Sequence, residues 1–181
     1  RPLQDVNAEG MTATQLPGGE TPQGKKTFAQ FCETASYPTP FPKQEEMRSF
    51  GMDETDPRLL LGSRNYGKTD YITVLGIAYA IYLNPALRFL IVTKSRERNA
   101  AMLEEIAKAL KANGVILEKE NALCIRVSGL IGKDHSVSTI TIGAKSVRGR
   151  HPDCIVLDDP VTEDDDSEAT RRRVKKLYNE L

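Results

Sequence analysis

The sequence predicts an α/β fold, a mainly parallel sheet flanked by helices with a β-hairpin insertion late in the chain. Three observations predict it. Leu59-Leu60-Leu61 is a short apolar run that leads into a glycine-bearing loop and then a long apolar segment, a strand–loop–helix succession. Arg88 to Thr93 is a continuous apolar run, and Cys154 to Leu157 is another; both suit parallel strands covered on two faces. Apolar residues at helical spacing fill the stretch after Thr93.

Composition agrees with that class. The 181 residues are enough for one domain with a real core, and 39% hydrophobic with 28% charged residues is ordinary for a globular chain. Lys+Arg and Asp+Glu are both 25, so a general polyelectrolyte-binding surface is not indicated, while a local basic patch stays open. Three scattered cysteines, Cys32, Cys124 and Cys154, read as reduced thiols of a cytosolic compartment. No Cys/His cluster has zinc spacing. No segment reaches the ~18 apolar residues of a membrane span, and no signal peptide is recognisable. The first residue is Arg, which reads as a processed or engineered fragment.

Residues 1–24, rich in Gly, Pro, Thr and Gln, read as a flexible arm, and 25–181 as one domain. Lys25 to Ala35 reads as a short helix with Phe28 and Phe31 on one side. Pro38, Pro40 and Pro42 hold the next stretch extended, and Lys43 to Phe50 is a short helix with Pro42 near its first turn. Arg58 to Leu61 reads as a buried strand. The helix after the loop runs from Lys68 to about Leu83, apolar on nearly every face and therefore buried on most sides. Asn84-Pro85 stops it.

Ser95 is an N-cap for the next helix, in which Ala100, Leu103, Ile106, Ala107 and Leu110 mark one face and Asn113-Gly114 the C-cap. Ala122 to Val127 and Ser138 to Ile142 read as the two strands of the hairpin insertion. Cys154 to Leu157 reads as a buried strand that ends in Asp158-Asp159-Pro160. An acidic run, Glu163 to Asp166, precedes a last helix with Arg171, Arg172, Arg173, Lys175 and Lys176.

The chemistry starts at Gly62-Ser63-Arg64-Asn65-Tyr66-Gly67-Lys68-Thr69, which fits G-x-x-x-x-G-K-[ST], the phosphate-binding loop. Glycines let backbone N–H groups turn toward phosphate oxygens. Lys68 sets an ammonium on the β and γ phosphates, the Thr69 hydroxyl ligates Mg²⁺, and the following helix aims its positive end at the same anion. The competing reading is a chance match, which the strand–loop–helix setting disfavours.

Asp158, after four apolar residues, is the candidate second Mg²⁺ ligand; otherwise it is an acidic strand-end turn. Asp159 is the candidate that orients and deprotonates water, or else a solvated acid. Both lie at the carboxyl end of a strand, as the loop does, so the two can share one crevice. Arg148-Gly149-Arg150 offers a finger for charge on the transferring phosphoryl group, or two exposed loop arginines, with nothing in the sequence to choose. Arg64 reaches a phosphate or pairs with a core acid. Gln44 has an amide that could pair with an adenine edge. His135 and His151 are placed in solvated loops. The cluster Arg171 to Lys176 reads as a solvated helix face rather than a DNA contact.

Taken in order, these motifs resemble the ATPase domain of the large terminase subunit, the motor that packages double-stranded DNA into tailed-phage procapsids. The likeness runs from about Pro40 to Pro160. It rests on Pro42-Lys43-Gln44, similar to the family's adenine-binding motif, and on the arginine-bearing loop Arg64 to Thr69. It continues in Leu90 to Ser95 and in Val147-Arg148-Gly149-Arg150 running into Ile155 to Pro160.

The resemblance implies a P-loop NTPase of the RecA-like (ASCE) type, ATP and Mg²⁺ as cofactors, and Arg148 as a finger acting across subunits. It implies a homo-oligomeric ring on the portal protein, with the small terminase subunit and double-stranded DNA as partners and no membrane. The setting would be the host cell cytoplasm, on the procapsid. Many relatives place Glu where this chain has Asp159, though some carry Asp-Asp. The family's coupling motif and C-terminal nuclease domain lie outside this sequence, so 25–181 reads as a truncated ATPase core of weak activity. Two other readings stand beside the motor: a helicase-like remodelling ATPase, and a nucleotide-binding assembly module with little turnover.

Overall fold

The computed structural model describes residues 24–52, 66–142 and 151–159, together with Glu168, Arg172 and Lys175. The expected flexible arm, the strand at Arg58 to Leu61 and the acidic run at Glu163 to Asp166 lie outside these residues, Gly24 apart.

Two short helices come first. Helix α1 (Phe28–Thr34) begins with a reciprocal cap in which the Thr27 hydroxyl and the Gln30 amide each satisfy the other's backbone N–H. Helix α2 (Pro42–Gly51) carries its proline in the first turn, where a missing N–H does no harm. A π-helical stretch, Lys68–Val74, runs directly into α3 (Leu75–Leu83), so the expected single helix from Lys68 to Leu83 is present with a wider first half.

Strand β1 (Phe89–Thr93) follows, buried at every position, then α4 (Arg96–Ala112). The Ser95 hydroxyl accepts from the Arg98 N–H at 3.1 Å and caps α4. At the other end Val115 N–H returns to the Leu110 carbonyl across Gly114, whose φ of 81° favours glycine. The remaining strands are β2 (Leu117–Asn121), β3 (Cys124–Val127), β4 (Val137–Thr141) and β5 (Cys154–Leu157).

The sheet runs β2-β3-β4-β1-β5. β1 pairs in parallel with β4 and with β5, whereas β2–β3 and β3–β4 pair antiparallel. The architecture is therefore mixed α/β, and the expectation of a mainly parallel sheet is corrected. The reason is connection length. A parallel pair needs a crossover, which α4 supplies between β1 and β4, while β2–β3 turns through Ala122-Leu123 alone. The hairpin insertion is corrected as well. Its two strands exist and pair antiparallel, but β4 lies beside β1 inside the sheet, and the tight hairpin is β2–β3.

Strand β5 is also less enclosed than its apolar sequence suggested. Its residues are half-buried, and Leu157 is 42% exposed. Among the described residues β1 is its only strand neighbour.

Helix α3 is the centre of the core, with Leu75 to Ile81 all buried. Phe28 and Phe31 meet the Tyr79 ring edge-on at 5.3 and 5.4 Å. Met102, Leu103, Ile106 and Leu110 of α4 close the same cluster, to which β1 contributes Phe89 and Ile91. Leu90 and Val92 point to the other face and pack with Ile140. β1 is thus covered on both sides, as its unbroken apolar run requires.

Candidate functional site

The parallel pair β1–β5 sets the site. Val92 lies opposite Leu157, and the Asp158 N–H continues the ladder to the Val92 carbonyl at 3.0 Å. Thr93 and Asp158 therefore leave the sheet at the same, carboxyl end. The first turn of α4 is pinned there. The Thr93 hydroxyl sits 2.9 Å from Asn99 Oδ1, and the Asn99 amide donates to the Ile140 carbonyl of β4 at 3.1 Å. Asn99 is 3% exposed, so this pin is shielded from water.

The start of the π-helical stretch arrives at this same end. Thr69 Oγ1 donates to Asp158 Oδ1 at 3.4 Å, although 89 positions separate them. Gly67 makes the entry possible. Its φ of 70° is left-handed, and a Cβ there would meet the Tyr71 ring at 2.9 Å and Gln44 Nε2 at 3.1 Å. Beyond it, the Leu75 N–H reaches five residues back to the Asp70 carbonyl, the wide spacing of a π turn. Gln44 is buried beneath. Its Oε1 accepts from the Phe41 N–H at 2.8 Å, and its Nε2 donates to the Tyr66 carbonyl at 3.2 Å. The amide expected at a base edge thus ties α2 to the last residues of the glycine loop.

The two acids differ. Asp158 Oδ2 is buried and has no hydrogen-bond partner among the described residues. Burial pushes its carboxyl above the ordinary range; Arg98 pulls it down, Asp159 adds to the rise, and the Thr69 and Thr73 hydroxyls oppose it. Asp159 is exposed and holds a φ of 44°, uncommon outside glycine.

Arg98 of α4 bridges the whole group. Its Nη2 is 3.2 Å from Thr69 Oγ1, 3.3 Å from Asp158 Oδ1 and 3.1 Å from Asp159 Oδ2. Sequence reasoning passed over Arg98 and Asn99. The signal was available: a Ser N-cap two residues past a strand end puts the first turn of the helix over that end, and Arg98 is in that turn.

Lys68, Thr69, Tyr66, Gly67, Gln44, Asp158 and Asp159 are therefore placed, and the Thr69–Asp158 contact joins the loop's end to the acids. Gly62, Ser63, Arg64 and Asn65 lie outside the described residues, as do Arg148 and Arg150. Of the basic cluster near the end, Arg172 and Lys175 are helical and exposed.

Among the described residues no group of three or more His, Cys, Asp or Glu side chains could hold a metal. An all-protein cage is thus not available there. A hydroxyl beside a carboxylate with one buried, unsatisfied oxygen does fit Mg²⁺, which takes one or two carboxylates and completes its shell with water and phosphate oxygens.

At the amino ends of β1 and β5 a second arginine is clamped. Arg88 donates from Nη2 and Nε to the two oxygens of Asp153 at 2.8 and 3.1 Å, and from Nη1 to Asp134 at 3.0 Å. These bonds hold its guanidinium proton well above the ordinary range, Asp153 first. An open groove of about 580 Å³ lies beside it, with Lys119, Lys133, His135 and His151 on its wall. His151 is exposed, as expected, while His135 is half-buried with its Nε2 3.2 Å from Lys119 Nζ.

Among the described residues no helix is long and apolar enough to cross a membrane. Comparison with protein-family models gives no match, and comparison with curated proteins gives none either.

Proposed function

We propose that this chain is the ATPase domain of a large terminase subunit, which hydrolyses ATP to drive double-stranded DNA into a procapsid. The observation that carries the reading is the hydrogen bond between Thr69 and Asp158 at the carboxyl end of the parallel strands. It unites the last residue of a phosphate-loop sequence with the acid of an apolar strand, the pairing that a nucleotide–metal site needs.

In this reading the loop from Gly62 to Gly67 cradles the phosphates with its N–H groups, and Lys68 sets its ammonium on the β and γ oxygens. Thr69 and Asp158 would hold Mg²⁺, which when bound would screen the negative charge of the phosphates. Asp159 orients the attacking water and takes its proton as ADP leaves. Arg148 of a neighbouring subunit, with Arg64 in the loop, stabilises charge on the transferring phosphoryl group. Gln44, buried and bonded at both ends of its amide, holds the loop in place. The ring stands on the portal protein in the host cytoplasm, with the small terminase subunit delivering DNA.

The test is phosphate release by the full-length protein, wild type against Lys68→Ala, with and without double-stranded DNA. The expected result is a loss of about 100-fold or more in the variant, of the order seen when one preorganised charge is removed from such a site. Equal rates overturn the proposal.

A further inference from the structure

We propose that Arg98 is a gate for the divalent cation: its guanidinium holds the cation's place beside Thr69 and the two acids, and yields it only when a phosphate chain arrives with the metal. This rests on the nucleotide-site reading above and adds to it a residue that the motifs do not include.

The geometry points to displacement rather than permanent structure. One nitrogen, Nη2, serves three acceptors on three residues, at 3.1 to 3.3 Å. None of those bonds is the paired, two-nitrogen form that makes an arginine–carboxylate contact rigid. The carboxylate it touches still has its second oxygen buried and unsatisfied. The arginine thus balances charge without completing the site. Its side chain is 38% exposed, so it has a route out. Its backbone has none, because the Ser95 cap and the buried Asn99 bonds fix the first turn of α4 over the strand ends. The head can swing while the stem stays.

A divalent cation at Thr69 and Asp158 and a guanidinium in contact with the same two groups repel each other. Metal alone must expel Arg98 into water and gains little. Metal that arrives with phosphates brings a new anionic partner for the displaced guanidinium. Cation binding and nucleotide binding become coupled, and the coupling is located in one side chain.

The experiment titrates Mn²⁺, a spectroscopic stand-in for Mg²⁺, into the full chain and reads free Mn²⁺ by electron paramagnetic resonance. It is run without nucleotide and again with ATP. Arg98→Ala and Arg98→Gln are expected to tighten nucleotide-free Mn²⁺ binding by about ten-fold, while Arg98→Lys, which keeps the charge, stays near the wild type. Arg98→Gln keeps the length of the stem and serves if the alanine variant unfolds. Asp158→Asn should abolish the gain. Unchanged or weaker nucleotide-free binding in both neutral variants overturns the gate. Failure of the nucleotide reading looks different: free Mn²⁺ with ATP then equals the sum of what ATP alone and protein alone take up, in the wild type and in every variant.

Discussion

Two arginines close the two ends of one strand pair, and they do so in different ways. Arg88, at the amino end, makes a two-nitrogen fork with Asp153 and adds Asp134. Arg98, at the carboxyl end, spreads one nitrogen over Thr69, Asp158 and Asp159 and leaves a buried carboxylate oxygen with no partner among the described residues. Both are arginine against paired acids beside β1 and β5. The difference is satisfaction. A fork saturates the carboxylate it meets and fixes a loop, whereas a shared contact balances charge and can be replaced. A site that must bind something is recognised by what it leaves unsatisfied.

Breaking the fork should have the larger effect on stability. Arg88→Ala is expected to lower stability by about 2 kcal/mol, discounted for a side chain that is partly exposed. Chemical denaturation would read it, with nucleotide binding unchanged. At the other end, Gly67→Ala should lower stability by about 1–2 kcal/mol, because the left-handed backbone and the Tyr71 ring both oppose a Cβ. Nucleotide affinity should fall with it, and the same denaturation series checks the first effect.

Asp158→Asn should move the other way, raising stability by about 1 kcal/mol at neutral pH while removing metal-dependent nucleotide binding. Its pH dependence sharpens the contrast. A carboxyl raised above its ordinary range in the folded state binds more protons folded than unfolded. Stability therefore rises as pH falls from neutral through the raised value, and levels off below the ordinary carboxylate range. The advantage of Asp158→Asn over the wild type should shrink over that interval, and denaturation midpoints at several pH values would show whether it does. Last and smallest, Arg98→Ala should change stability by no more than about 0.5 kcal/mol. If thermal unfolding shows Arg98→Ala to be as damaging as Arg88→Ala, the distinction between clamp and gate is lost.

The elements with strong local signals were legible in the sequence. The unbroken apolar run of β1, the all-round apolar α3 and the Ser95 cap of α4 each answer to one local rule, and each stands where expected. Strand β2 did not show, because Leu117-Glu-Lys-Glu-Asn121 carries almost no apolar residue. It is an exposed edge, held by Lys111 pairing with Glu120 and by Arg126 reaching Glu118 at 2.8 Å. The mixed sheet was missed for a related reason. Direction is set by how strands are connected, and β4 looks the same in either direction when read alone. At the site, the motif residues Lys68, Thr69, Asp158 and Asp159 were legible because phosphate and metal chemistry constrain spelling. Arg98 belongs to no motif, and only the Ser95 cap two residues past β1 hints that its turn lies over the strand end; which acids it meets there is a fact of tertiary placement.

The π turn at Lys68–Val74 holds one residue more per turn than the α-helix it joins. That extra residue is slack at the front of the most deeply buried helix of the fold. Winding it into α form would rotate positions 68 and 69 by roughly 100° about the axis relative to the anchored stretch Leu75 to Ile81. An ammonium and a hydroxyl could thus be re-aimed in a single step, with the packed interior behind them left in register.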